Sequence, residues 1–361
     1  MADSTAAAGL TVQRWDDKFF VEHIQGNRFA SEMGKSENNI IQVKEDLHGK
    51  KGKTVTLALV NRLTGSGVTG TSTLEGNEED MDSRSFTVDV VKRRNAVRVA
   101  EQEEQYSAIS LRNAAKSVLK TWATEDSRDR IIAALGSING VAYGTANETQ
   151  KDAWLVDNAD RVLFGSAVGN NSSNDHSASL ANIDNTNDKL TTGTASLMKR
   201  IARTANPKIR PIRSETDARY FYVMYVPSLV MRDLKADPVI QNAQRDVGIR
   251  MQNEKLFKGG DVEWDGIIFK EIEDIAVISG VGAAGIDVAP VYLCGAQAIA
   301  YATAKRWWSK DEVFDYGDKH GCSMNVIDGF EKMLFGSGSG DTDDLKDHGV
   351  VTGYMAAVAD A

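Results

Sequence analysis

The sequence is poor in several things that would point to particular classes of protein. It has two cysteines, Cys294 and Cys322, in 361 residues. Neither sits in a CxxC pair, so the chain carries no disulfide framework and no thiolate metal ribbon. Two buried thiols in a reducing compartment are expected. Histidine is also sparse: His23, His48, His176, His320 and His348. No two stand at zinc-ligand spacing. Positive charge is in deficit, with 42 Lys and Arg against 51 Asp and Glu, a formal net charge of −9. Such a chain is poorly suited to gripping nucleic acid through its phosphates. There is no P-loop and no GxSxG motif.

Long apolar runs are absent too. The opening, MADSTAAAGL, has neither the basic region nor the apolar core of a signal peptide. The nearest imitation of a membrane span, IAVISGVGAAGIDVAPVYL at 275–293, holds Asp287, Pro290 and three glycines. Two short buried strands around a glycine turn fit it better than a lipid-facing helix. No membrane partner is expected. Hydrophobic content of 42% and charged content of 26% are ordinary for a globular chain large enough for two or three domains.

What is present begins with LTGSGVTGTSTLEGNEED at 63–80, where Gly65, Gly67 and Gly70 spell GxGxxG after a strand-like run. A dinucleotide site needs a helix after the glycines, with its N-terminus facing the pyrophosphate. Here an acidic stretch with Glu75, Glu78, Glu79, Asp80 and Asp82 follows, and then another strand. The spacing predicts a flexible acidic hairpin tip, in which glycine reaches positive φ without strain. Residues 53–62 and 86–99 alternate apolar and polar and predict the two arms of that hairpin, each about 35–45 Å long at strand rise. A hairpin of that length needs something to cover its apolar face.

Other chemistry is weak. DTDDLKDH at 341–348 and the acidic tip lack the calcium-loop pattern. His320 beside Cys322 is a poor nucleophile–base pair on proximity alone. KRRNAVR at 92–98 is the densest basic run, without interleaved aromatics for stacking on bases; it is expected to pair with acidic residues.

The remaining pattern is mixed. Residues 1–50 are polar apart from Trp15, Phe19, Phe20 and Ile24 at helical spacing. Residues 101–135 predict a long helix with Leu111, Ala115, Val118, Leu119 and Trp122 as its stripe, and the EDSRDR cluster is a candidate interruption. Residues 165–195 read as a polar surface insertion, followed by a helix near 188–205. From 219 onward, strands at RYFYVMYV, DGIIFKEIEDIAVI, VYLCGAQ and GVVTGYMAAVA alternate with helices at SLVMRDLKADPVIQNAQRDV and AQAIAYATAK.

This order of parts, polar arm, long hairpin, long helix and an α+β half, resembles the major capsid proteins of tailed phages with the Hong Kong 97-type fold. The chain is most similar to the N4-like phage major capsid family. The resemblance is carried by NRLTGSGVTGTSTLEGNEE, RRNAVRV, DRVLFG at 160–165, YVMYVPSLVMRDLKADP, VEWDGIIFKE, CGAQAIAYA, DYGDKHGCSMNVIDGFEKMLFG and the closing GVVTGYMAAVA. It covers about residues 50–360.

The resemblance implies an α+β fold with an N-terminal arm (1–50), an extended β-hairpin loop (51–100), a peripheral domain with a spine helix and polar insertion (101–215), and an axial domain (216–361). It also implies that the hairpin and arm reach over neighbouring copies. Function would be self-assembly into hexamers and pentamers of an icosahedral shell around double-stranded DNA. There would be no catalysis, cofactor or metal, and DNA would meet the shell only non-specifically. A portal would be a partner. About 50 residues precede the hairpin, too few for the scaffolding domain some relatives carry, so a separate scaffolding or decoration protein is expected. The chain would reside in the virion capsid after assembly in the host bacterial cytoplasm.

Candidate apolar interface residues are Phe19, Phe20, Leu57, Leu59, Phe86 and Val88. Candidate charge pairs set Arg62, Arg93 and Arg94 against Glu75, Glu78 and Glu79. The alternatives are another phage structural part, such as a tail tube or decoration protein, or a nucleotide enzyme using the Gly65–Gly70 loop.

Overall fold

The structure is a computed structural model. It describes residues 27–63, 65–79, 81–213, 219–243, 257–258 and 261–360. The chain resolves into two units. One gathers Lys92–Ser127 and Lys305–Ile327, and the other gathers Arg28–Val91, Arg128–Ala304 and Asp328–Ala361.

The larger unit is built on a mixed eight-stranded sheet. Its centre is Tyr220–Val226, Val288–Cys294 and Val350–Ala356, whose apolar runs leave almost nothing for solvent. Such runs belong to strands covered on both faces, and the cores confirm it. On one face Tyr222, Met224, Val226, Val291, Leu293, Val351 and Met355 pack with Ala195, Met198, Val230 and Leu234. On the other, Val223, Tyr225, Tyr292, Cys294 and Val350 pack with Phe29, Ile41, Ile131 and Leu135. Strand alternation therefore feeds two separate cores from one sheet.

Helices supply the cover. Thr192–Thr204 starts at a Thr191 side-chain cap and buries Ala195, Met198, Ile201 and Ala202 at helical spacing. Ser228–Ala236 buries Val230, Met231 and Leu234 and stops before Pro238. The Trp264–Ile267 corner turns on Asp265 and Gly266, both at positive φ (49° and 67°), as a two-residue hairpin requires.

Three local expectations are corrected. AQAIAYATAK is not helical: Ile299–Phe314 is a strand, and Ile299–Ala302 pair in parallel with Ile41–Lys44. Ala296, Ala298, Ile299, Ala300 and Ala302 are buried, so tertiary pairing overrides helix propensity. The second hairpin arm is not one strand. Ser83–Asp89 pairs with Thr54–Val60, whereas Val91–Ala100 joins a different sheet beside Lys319–Lys332. The change of partner falls at buried Val90, whose N–H donates to the Lys53 carbonyl. Finally, the long helix breaks at Ser107–Ser110, between Glu101–Tyr106 and Leu111–Leu135, and EDSRDR runs through helix. The charges of that cluster are paired instead of breaking the helix: Arg128 meets Asp274 at 3.0 Å, and Arg130 meets buried Asp328 at 2.5 Å.

In the smaller unit Ala115, Leu119 and Cys322 form a compact apolar cluster with Val97 and Met324. Trp122 meets Trp307 edge-on at 5.7 Å. Lys116 pairs with Asp311 at 3.0 Å, and Arg93 with Asp126 at 3.0 Å.

The polar insertion is ordered around one carboxylate. Buried Asp188 accepts from the Ser166 N–H (2.7 Å), Ser166 Oγ (2.9 Å), Asn170 Nδ2 (3.2 Å) and the Asp184 N–H (2.9 Å). Gly165 stands over it at φ 59°, where an added Cβ would lie 2.2 Å from Asp188 Oδ1. Gly165→Ala therefore combines left-handed strain with displacement of the hub, and is expected to cost about 3 kcal/mol or more. Urea denaturation checks this against Gly169→Ala, whose Cβ position is open. Equal midpoints for the two variants would refute the hub.

Candidate assembly surfaces

The hairpin has two faces, and its register separates them. Thr54 pairs with Asp89, Val55 with Val88, Leu57 with Phe86 and Val60 with Ser83. Val55, Leu57 and Val88 are buried, while Thr54, Thr56, Ala58 and Val60 are exposed. The buried face is covered by the chain itself. Phe86 meets Phe335 at 6.1 Å, Arg84 Nη2 donates to the Gly338 carbonyl (2.9 Å), and Ser85 donates to Asp341 through its N–H (3.1 Å) and Oγ (2.6 Å). The Asp89 N–H donates to Glu331 Oε1 at 3.3 Å. Desolvation raises the Glu331 carboxyl above its ordinary value, against that hydrogen bond. Hydrogen bonds from Ser85 hold Asp341 below its own.

Beyond Val60 the hairpin is solvent-exposed. Gly67, Gly70 and Gly76 take positive φ. Two of the tip's backbone N–H groups are turned to its own carboxylates. The Gly65 N–H donates to Glu79 Oε2 (2.7 Å) and the Gly76 N–H to Glu78 Oε2 (2.7 Å). The acidic residues thus act as turn anchors, which answers the glycine pattern without a nucleotide. Leu63, Leu74 and Met81 stand 61%, 62% and 72% exposed on this tip. Sequence reasoning missed them, because an isolated apolar residue among polar ones does not declare which way it points.

Of the other candidates, Leu59 and Phe86 are half-buried, and Arg62, Arg94 and Glu75 are exposed with no ion pair among the described residues. Arg93 is already paired with Asp126. Arg62 and Glu79 line one cleft of about 760 Å³ at the hairpin base, with Arg84, Lys208, Lys346 and His348. Phe19 and Phe20 lie outside the described residues. Cys322 is buried, and desolvation raises its thiol above the ordinary value, so it makes a poor nucleophile. No helix among the described residues is long and apolar enough to cross a membrane.

The chain with this fold matches known structural proteins of viruses. Residues 4–359 match the family described as phage capsid protein. The chain is 30% identical over 352 residues to the major capsid protein of Pseudomonas phage KPP25, covering 90% of this chain and 89% of that one. It superposes on the capsid asymmetric unit of cyanophage Pam1 with a TM-score of 0.89, at 30% identity and complete coverage of both chains. The capsid of Ralstonia phage GP4, at 20% identity and complete coverage of both chains, shares the fold with a TM-score of 0.76. The chain belongs to the phage capsid protein family, with the α+β Hong Kong 97-type fold and the function of a major capsid protein. Its place is the virion capsid, and its first partner is itself.

Proposed function

We propose that copies of the chain associate into hexamers and pentamers of a closed icosahedral shell around double-stranded DNA, chiefly through the hairpin tip. The observation that carries this reading is the division of the hairpin. Its inner face is used up within the chain, whereas Leu63, Leu74 and Met81 are left outside. Covering one such side chain contributes about 1–2 kcal/mol. That is too little for a dimer and enough for a lattice in which every copy makes the contact. Arg62, Arg94 and Glu75, each without an ion pair among the described residues, are the charges available to fix register between copies.

Phe19 and Phe20 join the apolar contact in this reading, Leu59 and Phe86 add only the edge that their packing within the chain leaves exposed, and the segment 1–50 acts as an arm. Residues 101–215 and 216–361 act as peripheral and axial parts. Leu57 and Val88 hold the hairpin's shape from inside. Arg93, Glu78 and Glu79 reach a neighbour only through what their present partners leave over. The chain performs no catalysis and needs no cofactor. A portal and a separate scaffolding or decoration protein are its further partners, DNA touches it without sequence preference, and assembly takes place in the host cytoplasm.

Leu74→Asp combined with Met81→Asp tests the contact. Both sites are exposed, so the denaturation midpoint should stay within about 0.5 kcal/mol of the parent. Shell yield by electron microscopy should fall at least tenfold. Normal shells from the folded double variant would overturn the reading.

A further inference from the structure

The net charge of −9 is an average, and it hides one stretch of the opposite sign. Residues 189–214 hold seven Lys and Arg and no Asp or Glu. They include the helix Thr192–Thr204 and the short strand Ile212–Arg213. The helix buries Ala195, Met198, Ile201 and Ala202 against the sheet. Arg200 and Arg203 are exposed, and at a spacing of three they are neighbours on the helix surface.

The sheet brings a third cation to the same side. Arg213 pairs with Tyr220 across an antiparallel ladder, so the two side chains share a face. Tyr220 stands two residues before Tyr222, which packs in the core that this helix covers. Strand alternation therefore puts Tyr220 and Arg213 on the helix side. Tyr220 is 58% exposed there. Arg203 lies beside the Tyr222 hydroxyl, which ties the end of the helix to the same strand. Asp265, a carboxylate beside Arg203, is taken up by Lys199 at 2.8 Å. Arg200, Arg203 and Arg213 make no ion pair among the described residues. Glu215 and Asp217, next in sequence, lie outside them. Arg203 in the last helical turn also complements the helix dipole, but Arg213 on a strand has no such role.

Three guanidinium groups beside an exposed phenol suit phosphate. Arginine forks take phosphate oxygens in pairs, and a tyrosine hydroxyl donates to them. A neutral partner would bury the three charges without compensation. We propose that this face turns to the interior of the shell and holds the phosphate backbone of packaged double-stranded DNA. The inference rests on the reading that the shell encloses DNA, and it names the surface of contact. Phosphate contact alone carries no sequence preference.

The probe is a labelled duplex of about 30 base pairs and random sequence, followed by fluorescence anisotropy with the purified, unassembled full-length chain. Binding is expected at low salt, and three phosphate contacts give a slope of about −2.7 in log affinity against log salt. Arg200→Gln/Arg203→Gln/Arg213→Gln should weaken binding at least about tenfold. Lysine at the same three positions keeps the charges and should keep the slope. Lys50→Gln/Lys51→Gln/Lys120→Gln changes the net charge equally at exposed sites elsewhere and should weaken binding less than about threefold. Electron microscopy should show normal shells from the glutamine variant at 200, 203 and 213. No binding by the parent at about 20 mM salt, or an equal loss in both glutamine variants, would overturn the proposal. So would a variant at 200, 203 and 213 that binds DNA like the parent and fails to form shells, which would make the face a contact with another copy. Absence of shells from the parent would count against the assembly reading alone, because the duplex measurement does not depend on shells.

Discussion

Lys332→Met should lower the stability of the chain by roughly 3–5 kcal/mol, the largest effect expected of any single substitution considered. Lys332 and Asp347 face each other at 2.8 Å with both side chains 1% exposed. Lys332 Nζ also donates to the Ser137 carbonyl at 2.6 Å and lies 5.4 Å from the Trp154 ring centre. The Asp347 backbone is held independently. Its N–H donates to Asn158 Oδ1 (2.8 Å), and its carbonyl accepts from Arg161 Nη1 (2.5 Å). Removing the lysine therefore leaves a carboxylate fixed in a dry site, with only the long 3.5 Å contact from Trp154 Nε1 for compensation. The double change Lys332→Met/Asp347→Leu removes the stranded charge and should recover most of the loss. Urea denaturation of the unassembled chain measures both. A Lys332→Met midpoint near that of the parent would mean that the pair is not dry.

Acid should unfold the chain before its carboxylates titrate. Burial pushes His176 and His348 each down from 6.5 to about 4, helped by Lys151 at the first and Arg161 at the second. The folded state therefore keeps both rings neutral, while the unfolded chain takes up protons from pH 6.5 downward. Stability from these groups is complete above about pH 6.5, falls through the window down to about pH 4, and is gone below it. The two shifts together amount to roughly 7 kcal/mol. Denaturation midpoints between pH 7 and 4.5 should fall with a slope that approaches two protons taken up on unfolding. His348→Gln should halve that slope. A flat profile over the same range would contradict the burial of both rings.

The residues also show how far a sequence carries such a reading. The runs at 220–226, 288–294 and 350–356 declare central strands, because short, mostly apolar stretches rich in Val and Tyr suit strands covered on both faces. The acidic residues around Gly65–Gly70 argue against a phosphate, and the structure shows them holding the turn. Ile299–Ala302 did not declare itself. Its local preference is helical, and its strand exists through pairing with Ile41–Lys44, distant in sequence. The bend at Val90 was hidden for the same reason, since both segments alternate and only their partners differ. Within the candidate surface, the fold-facing role of Leu57 and Val88 was not separable from a neighbour-facing one, because alternation gives a face and not what covers it.

In the proposed assembly, copies of this chain join through the hairpin tip to build a closed shell. The most direct measurement is electron microscopy of the purified chain, produced alone and then together with the products of neighbouring phage genes. Closed particles of uniform diameter, formed by the parent chain and lost in the Leu74→Asp/Met81→Asp variant, are the predicted result. A small monodisperse species from the parent in both preparations would contradict it.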